Sequence, residues 1–313
     1  RLSVDEKLLP RNDKIIYSCG NSENFESDSI SPVSAGSDTF MNEPKRFETQ
    51  WGGRTLSIEV GKYAQQAGGS CVVRYGDTVV LATATMSADV REGLPFFPLM
   101  VDYEEKLYAA GRIKGSRFMK KEGRPTDEAV LIGRFIDRAL RPLFDQRIRN
   151  DVQVIVTALS FDGENDPDVL GLIGAACAMH ISDIPWNGPI GCVRVGHLDG
   201  KAVLNPTYSQ RETSLLDLSF AGTSEKIIMV EAGGREATED VVLDAFWFGQ
   251  KELDVPIKLI QQVRAAVGKE KRDLLTPKTD DERAMLARKE KIETLARPFI
   301  LEQIRALFFS TPK

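Results

Sequence analysis

With 313 residues, 42% of them hydrophobic and 28% charged, the chain fits one large soluble domain or two ordinary ones, able to bury a core without disulfides or metals. A net charge of -5 argues against a uniformly basic nucleic-acid binder, and Cys19, Cys71, Cys177 and Cys192 have neither zinc-site nor disulfide-framework spacing, as expected of free thiols in a reducing compartment. No run approaches the roughly 20 apolar residues of a membrane span, and no signal or transit peptide is recognisable, so a cytoplasmic protein with no membrane partner is expected.

Residues 1–45 carry eight acidic and five basic side chains, eight serines and only three aromatics, a composition that cannot offset the entropy of ordering; a disordered tail is expected. Ordered structure is expected from about Phe47. Leu56, Ile58 and Val60 alternate with polar residues as in a half-buried strand. Residues 71–75 and 78–84, separated by Gly76-Asp77, read as a hairpin, and 96–103 as a further strand. A basic, glycine-punctuated loop spans 112–124. Thr126 is placed to cap a helix running to about Pro142, 151–161 is a Val/Ile-rich strand, and Asp166-Pro167 opens a second helix. Gly171, Gly174, Ala175, Ala176 and Ala178 would let that helix lie close to a sheet.

Beyond residues 185–189 the pattern restarts. Strands are predicted at 190–195, 202–204, 215–221 and 226–231, then a helix over 239–252 and, started afresh by Pro256, another over 257–267. From Lys269 the composition turns charged and helical, and the chain stops at Lys313 inside that pattern, which reads as a piece of a longer helical domain. The expected fold class is α+β, two sheet-plus-helix halves over 46–268, followed by the start of an all-helical segment over 269–313.

Charge is unevenly distributed. Residues 112–147 hold ten basic and five acidic side chains, so the remainder of the chain carries -10. One positive feature on an acidic protein is the electrostatic signature of a polyanion site. Arg134, Arg138 and Arg141 share one helix face, and a guanidinium can grip two phosphate oxygens at once. Phe118 precedes Lys120-Lys121, and an aromatic beside cations suits single strands, whose bases stack while the cations follow the backbone. The same stripe could equally be a solvated face paired with Asp137 and Glu128, so spacing alone leaves both readings open.

Longer motifs are more specific. Residues 96–99, 108–113, 118–125, 134–144, 165–168, 182–191, 204–207 and 221–223 resemble, in order, the first core of the polynucleotide phosphorylase family. That resemblance, covering about 47–268, implies an RNase PH-like core (the ribosomal protein S5 domain 2-like arrangement). It implies 3′-to-5′ phosphorolysis of single-stranded RNA by inorganic phosphate, releasing nucleoside diphosphates. It also implies a homotrimeric ring, association with an RNA-degrading complex, and Mg2+ held by a second core. The RNA-binding residues it implies are Arg112, Phe118, Lys120, Lys121, Arg124, Arg134, Arg138 and Arg141. Lys121 stands where the family often has Arg, and Lys lacks the bidentate fork.

No catalytic residue and no metal ligand is assigned to this core. In the family, catalysis uses a Ser-rich loop and an Asp pair with a Lys, all in the second core. Here Asn165-Asp166-Pro167-Asp168 replaces the loop, and Asp217 is flanked by Leu215 and Ser219 where the second Asp and the Lys would be. The expectation is a catalytically silent, RNA-guiding core; the alternatives are a non-catalytic RNA-binding and trimer-forming module and, third, a stand-alone RNase PH-like nuclease. His180 reads as a packed histidine, His197 as an exposed turn residue, and Trp186 and Trp247 as core or subunit-contact residues.

Overall fold

Antiparallel pairing begins with β1 (Lys45–Trp51) and β2 (Arg54–Val60), joined by Gly52-Gly53, both at positive φ. The computed structural model describes residues 43–90, 93–113, 124–277 and 280–308; most of the 1–45 segment lies outside them. β3 (Gly69–Tyr75) and β4 (Thr78–Val90) form the predicted hairpin, with Gly76 at φ 63° supplying the left-handed residue its two-residue turn requires. β5 (Leu99–Glu105) starts later than the sequence predicted. Pro98 cannot donate to a ladder, and Phe97 turns inward against Phe144, ring centroids 4.6 Å apart.

After helix α1 (Asp127–Leu140), β6 (Asn150–Ser160) enters between β4 and β5, antiparallel to the first and parallel to the second, giving the sheet order β1-β2-β3-β4-β6-β5. Val152, Val154, Val156 and Ala158 all face the core from β6, the period of two that the sequence shows. The second sheet, β10-β9-β7-β8, is antiparallel: β7 (Gly191–Leu198), β8 (Lys201–Leu204), β9 (Leu216–Gly222) and β10 (Ile227–Gly234). His197 therefore lies half-buried in a strand and not in a turn, because the turn is made by Asp199-Gly200, both at positive φ.

Helix α2 (Pro167–Ile181) is apolar apart from Asp168 and His180, and all fifteen of its residues are buried. A helix with no solvent-facing side must be enclosed, and this one packs against β3, β4 and β6 of the first sheet and β7 of the second. Its close approach depends on small residues: a Cβ at Gly69 of β3 would fall 2.1 Å from the Ala178 carbonyl oxygen, and one at Gly174 would fall 3.0 Å from the Ala82 Cβ.

The two helices predicted on either side of Pro256 are one helix, α4 (Glu239–Val267). Pro256 lacks the N–H that would bond the Glu252 carbonyl, and that carbonyl instead accepts from the Trp51 indole Nε1 at 3.2 Å. The helix survives its proline because a side chain from β1 supplies the missing donor. The short α3 (Tyr208–Thr213) is started by a capping box of Thr207 and Gln210. Helix α5 (Asp280–Phe308) leaves Met285, Leu295, Phe299 and Leu307 exposed. Among the described residues no helix is long and apolar enough to cross a membrane.

Candidate nucleic-acid interface

Helix α1 is fixed by Thr126, whose hydroxyl accepts from the Ala129 N–H, and by a buried face of Ala129, Phe135, Ile136, Ala139 and Leu140 against β5 and α2. Trp186, buried, donates to the Leu140 carbonyl at its far end. The opposite face carries the arginine stripe, and the structure divides it. Arg134 is exposed with no ion pair among the described residues. Arg138 meets Glu231 of β10 at 2.8 Å, but both side chains are more than half exposed, a pairing that water and salt weaken easily. Arg141 is committed. It grips Asp137 through Nε at 2.9 Å and Nη2 at 2.6 Å, and donates to the Phe97 and Leu99 carbonyls at 3.3 and 3.2 Å. Its fork therefore ties the end of α1 to the start of β5, a structural use of the geometry that the sequence assigned to phosphate.

Arg112 and Arg124 are exposed and share a concave surface, a cavity of about 740 Å3 lined also by Tyr103, Glu105, Phe161 and Tyr208. A 3-10 turn over Leu107–Ala110, ended by Gly111 at φ 66° and held by Phe161 N–H to the Ala109 carbonyl, sets the position of Arg112. Arg124 stands two residues ahead of the Thr126 cap. Phe118, Lys120 and Lys121 lie outside the described residues, between these two arginines in sequence.

Below the cavity, at the N-terminus of α2, lies a cluster that sequence reasoning missed. Arg194 of β7 pairs with Asp166, with Asp168 at 2.8 Å and with Asp217 at 3.4 Å, and donates to the Ser219 hydroxyl at 2.7 Å. Arg211 of α3 reaches Asp166 at 2.5 Å and Asp217 at 2.9 Å, its guanidinium 5.1 Å from the Tyr208 ring centre. Burial, then the neighbouring Asp166 carboxylate, push the Asp168 pKa up against the pull of Arg194; the three surrounding carboxylates raise that of Arg194 despite burial. Three carboxylates and two guanidiniums nearly neutralise one another. The clue available beforehand was Arg194 itself, a charge within a strand whose neighbours Cys192, Val193 and Val195 are all buried.

Residues 52–185 match the 3′ exoribonuclease family, domain 1, and residues 188–252 match domain 2 of the same family. The chain belongs to the 3′ exoribonuclease family. Among curated relatives, the polyribonucleotide nucleotidyltransferase of Heliobacterium modesticaldum is 51% identical over 228 residues, 73% of this chain and 32% of that protein. The one from Clostridioides difficile is 50% identical over 231 residues, 74% of this chain and 33% of that protein. The chain thus spans about a third of the length of the curated relatives it matches. A crystal structure of rice Rrp46 superposes with a TM-score of 0.54 at 14% identity, covering 70% of this chain and 94% of that one, which supports the α+β RNase PH fold.

Within this 3′ exoribonuclease core His180 lies at the other end of α2 from the ion cluster, and His197 lies three residues along β7 from Arg194, in neither case paired with its carboxylates. His180 is buried on α2 against Trp186, ring centroids 6.4 Å apart, and burial, Arg264 and Lys271 depress its pKa to about 4. Trp247 is exposed and not part of the core. Among the described residues no three His, Cys, Asp or Glu side chains are placed to hold a metal ion. The donor chemistry accounts for that: the carboxylates nearest one another already face guanidinium groups, so these residues do not fit a Mg2+ site.

Proposed function

We propose that this chain is the RNA-guiding first core of a polynucleotide phosphorylase, an enzyme that shortens RNA from its 3′ end with inorganic phosphate and releases nucleoside diphosphates. The observation that carries the reading is a division of labour among cations. Arg194 and Arg211 neutralise Asp166, Asp168 and Asp217 in the interior, while Arg112, Arg124 and Arg134 stand exposed and without ion pairs among the described residues. The interior set supplies neither a phosphate loop nor a metal site, and the exposed set supplies a surface for a sugar–phosphate backbone.

In this reading phosphorolysis, and the Mg2+ that assists it, belong to a second core. This core contributes RNA contacts, from Arg112, Arg124, Arg134 and Arg138 with Phe118, Lys120 and Lys121, which lie between Arg112 and Arg124 in sequence, and a share of a homotrimeric ring in the cytoplasm. Arg141 serves the interface indirectly, by fixing the end of α1 against β5.

The test is phosphorolysis by the 313-residue chain, with Mg2+, phosphate and oligoadenylate, beside a filter-binding assay. RNA binding that weakens with salt, without nucleoside diphosphate release, is the expected result. Robust release would overturn the silent-core reading, and absence of binding would overturn RNA guiding.

A further inference from the structure

The cavity beside Arg112 and Arg124 has an interior that backbone binding leaves unexplained. Its wall carries Phe161 and Tyr208, edge to face with ring centroids 5.6 Å apart. Tyr208 is 38% exposed, and Arg211 lies over its ring on the side of the ion cluster. A ring backed by a cation and open to a cavity is a surface on which a base can stack.

Tyr103, another lining residue, is 2% exposed, and its hydroxyl has no hydrogen-bond partner among the described residues. Buried hydroxyls almost always have one, and leaving one unmade is costly. Burial raises the Tyr103 pKa, and Glu105, then Asp168 and Asp166, raise it further. Glu105 is exposed at the cavity, and partial desolvation, then Glu128 and Asp166, raise its pKa. The cavity therefore has a polar edge at Glu105 with the buried Tyr103 behind it, an aromatic side and a cationic mouth. Glu104, the other acid on the wall, is offset by Lys106 at 2.9 Å. About 740 Å3 falls within the range of small-molecule pockets.

We propose that this cavity binds one nucleotide, its base against Phe161 and Tyr208 with the polar edge toward Tyr103 and Glu105, and its phosphates on Arg112 and Arg124. The proposal deepens the RNA-guiding reading but does not need residues 118–121. The occupant is either a free nucleoside diphosphate or one nucleotide of a bound strand; both present a base and phosphates.

Isothermal titration of the 313-residue chain, in EDTA, with ADP, inorganic phosphate and an oligoadenylate tests it. One ADP should bind, about tenfold or more tighter than phosphate, as a stacked base contributes. Tyr208→Leu should abolish that advantage and leave phosphate binding unchanged. Tyr208→Phe, which keeps the ring, should bind ADP as the parent does, whatever the folding of the leucine variant. Replacing Arg112 and Arg124 together by Ala should weaken ADP and phosphate alike, by about tenfold, with the thermal midpoint unmoved. An oligoadenylate that displaces ADP identifies the strand as the source; one that binds beside ADP identifies the free diphosphate. ADP binding no tighter than phosphate, or loss of binding in Tyr208→Phe, overturns the site. Oligoadenylate binding without ADP binding sinks the pocket and leaves RNA guiding standing, and ADP binding without oligoadenylate binding does the reverse.

Discussion

Arg194→Met removes the hub of the interior ion cluster at nearly constant side-chain volume. Asp166 keeps Arg211 at 2.5 Å and the Tyr208 hydroxyl at 3.3 Å. Asp168 keeps no guanidinium partner, because Arg194 at 2.8 Å is the one it has, and its side chain is only 10% exposed. Breaking a buried pair by deleting one partner costs about 3–5 kcal/mol, a large share of a typical domain's stability. The orphaned carboxylate can escape by taking up a proton. Its folded pKa, already raised in the parent by burial and then by Asp166, loses the lowering pull of Arg194 and rises further above the unfolded value near 3.9, so the variant loses more stability than the parent as pH rises. Urea unfolding should accordingly show the largest deficit at pH 8 and a smaller one at pH 5. Asp168→Asn in the same chain should restore most of the loss, since it removes the charge that needed a partner. Added salt should help little, because the pair is shielded from counterions. A variant within about 0.5 kcal/mol of the parent at pH 8, or a deficit independent of pH, would refute the reasoning.

Arg141→Ala should lower stability by about 1 kcal/mol or more in the same unfolding assay, through the lost Asp137 fork and two strand-end bonds, with RNA affinity changed less than by Arg134→Ala. The His180 pKa near 4 lies below its unfolded value near 6.5, so the unfolded state binds the extra proton and stability falls as pH drops from about 6.5 to 4. The total approaches about 3 kcal/mol, and His180→Gln should flatten that limb of the pH–stability curve. Replacing Lys120 and Lys121 by Ala should weaken oligoadenylate binding and flatten its dependence on log salt, by about 0.7 for each phosphate that no longer meets a cation. Removing Arg112, Arg124 and Arg134 together should flatten that slope by about 2 on the same scale, while removing Arg147, which pairs with Asp145 at 2.7 Å, should barely move it. Equal changes from the two sets would mean that ion pairing does not decide which arginines meet RNA.

Local signals carried much of the fold. The alternation in β6, the Gly76-Asp77 turn, the Thr126 cap and the proline at the start of α2 each have a cause within a few residues, and each stands where the sequence put it. Pro256 failed as a helix breaker because its remedy is remote: Trp51 is 201 residues from the Glu252 carbonyl it serves, and no local pattern announces such a donor. The ion cluster was hidden for the same reason. Its five members come from the α2 entrance, β7, α3 and β9, and only the tertiary fold brings them within 4 Å.

The arginine stripe shows where a sequence argument about charge stops. A guanidinium fork suits a phosphate and a carboxylate equally well, so the i, i+4 pair Asp137–Arg141 and the excess of basic residues over 112–147 were both visible, and neither decided the other. The deciding quantity is the carboxylate within reach after folding. Asp137 satisfies Arg141, Asp145 satisfies Arg147, and Glu231, brought over from the second sheet, holds Arg138 at the surface. Of the six described arginines in the segment that the sequence counted toward a polyanion site, Arg112, Arg124 and Arg134 keep their charge unspent, and two of those three border the same cavity. Among the described residues the cations without an ion pair are therefore fewer than the local charge count, two of them at that cavity and the third, Arg134, on α1.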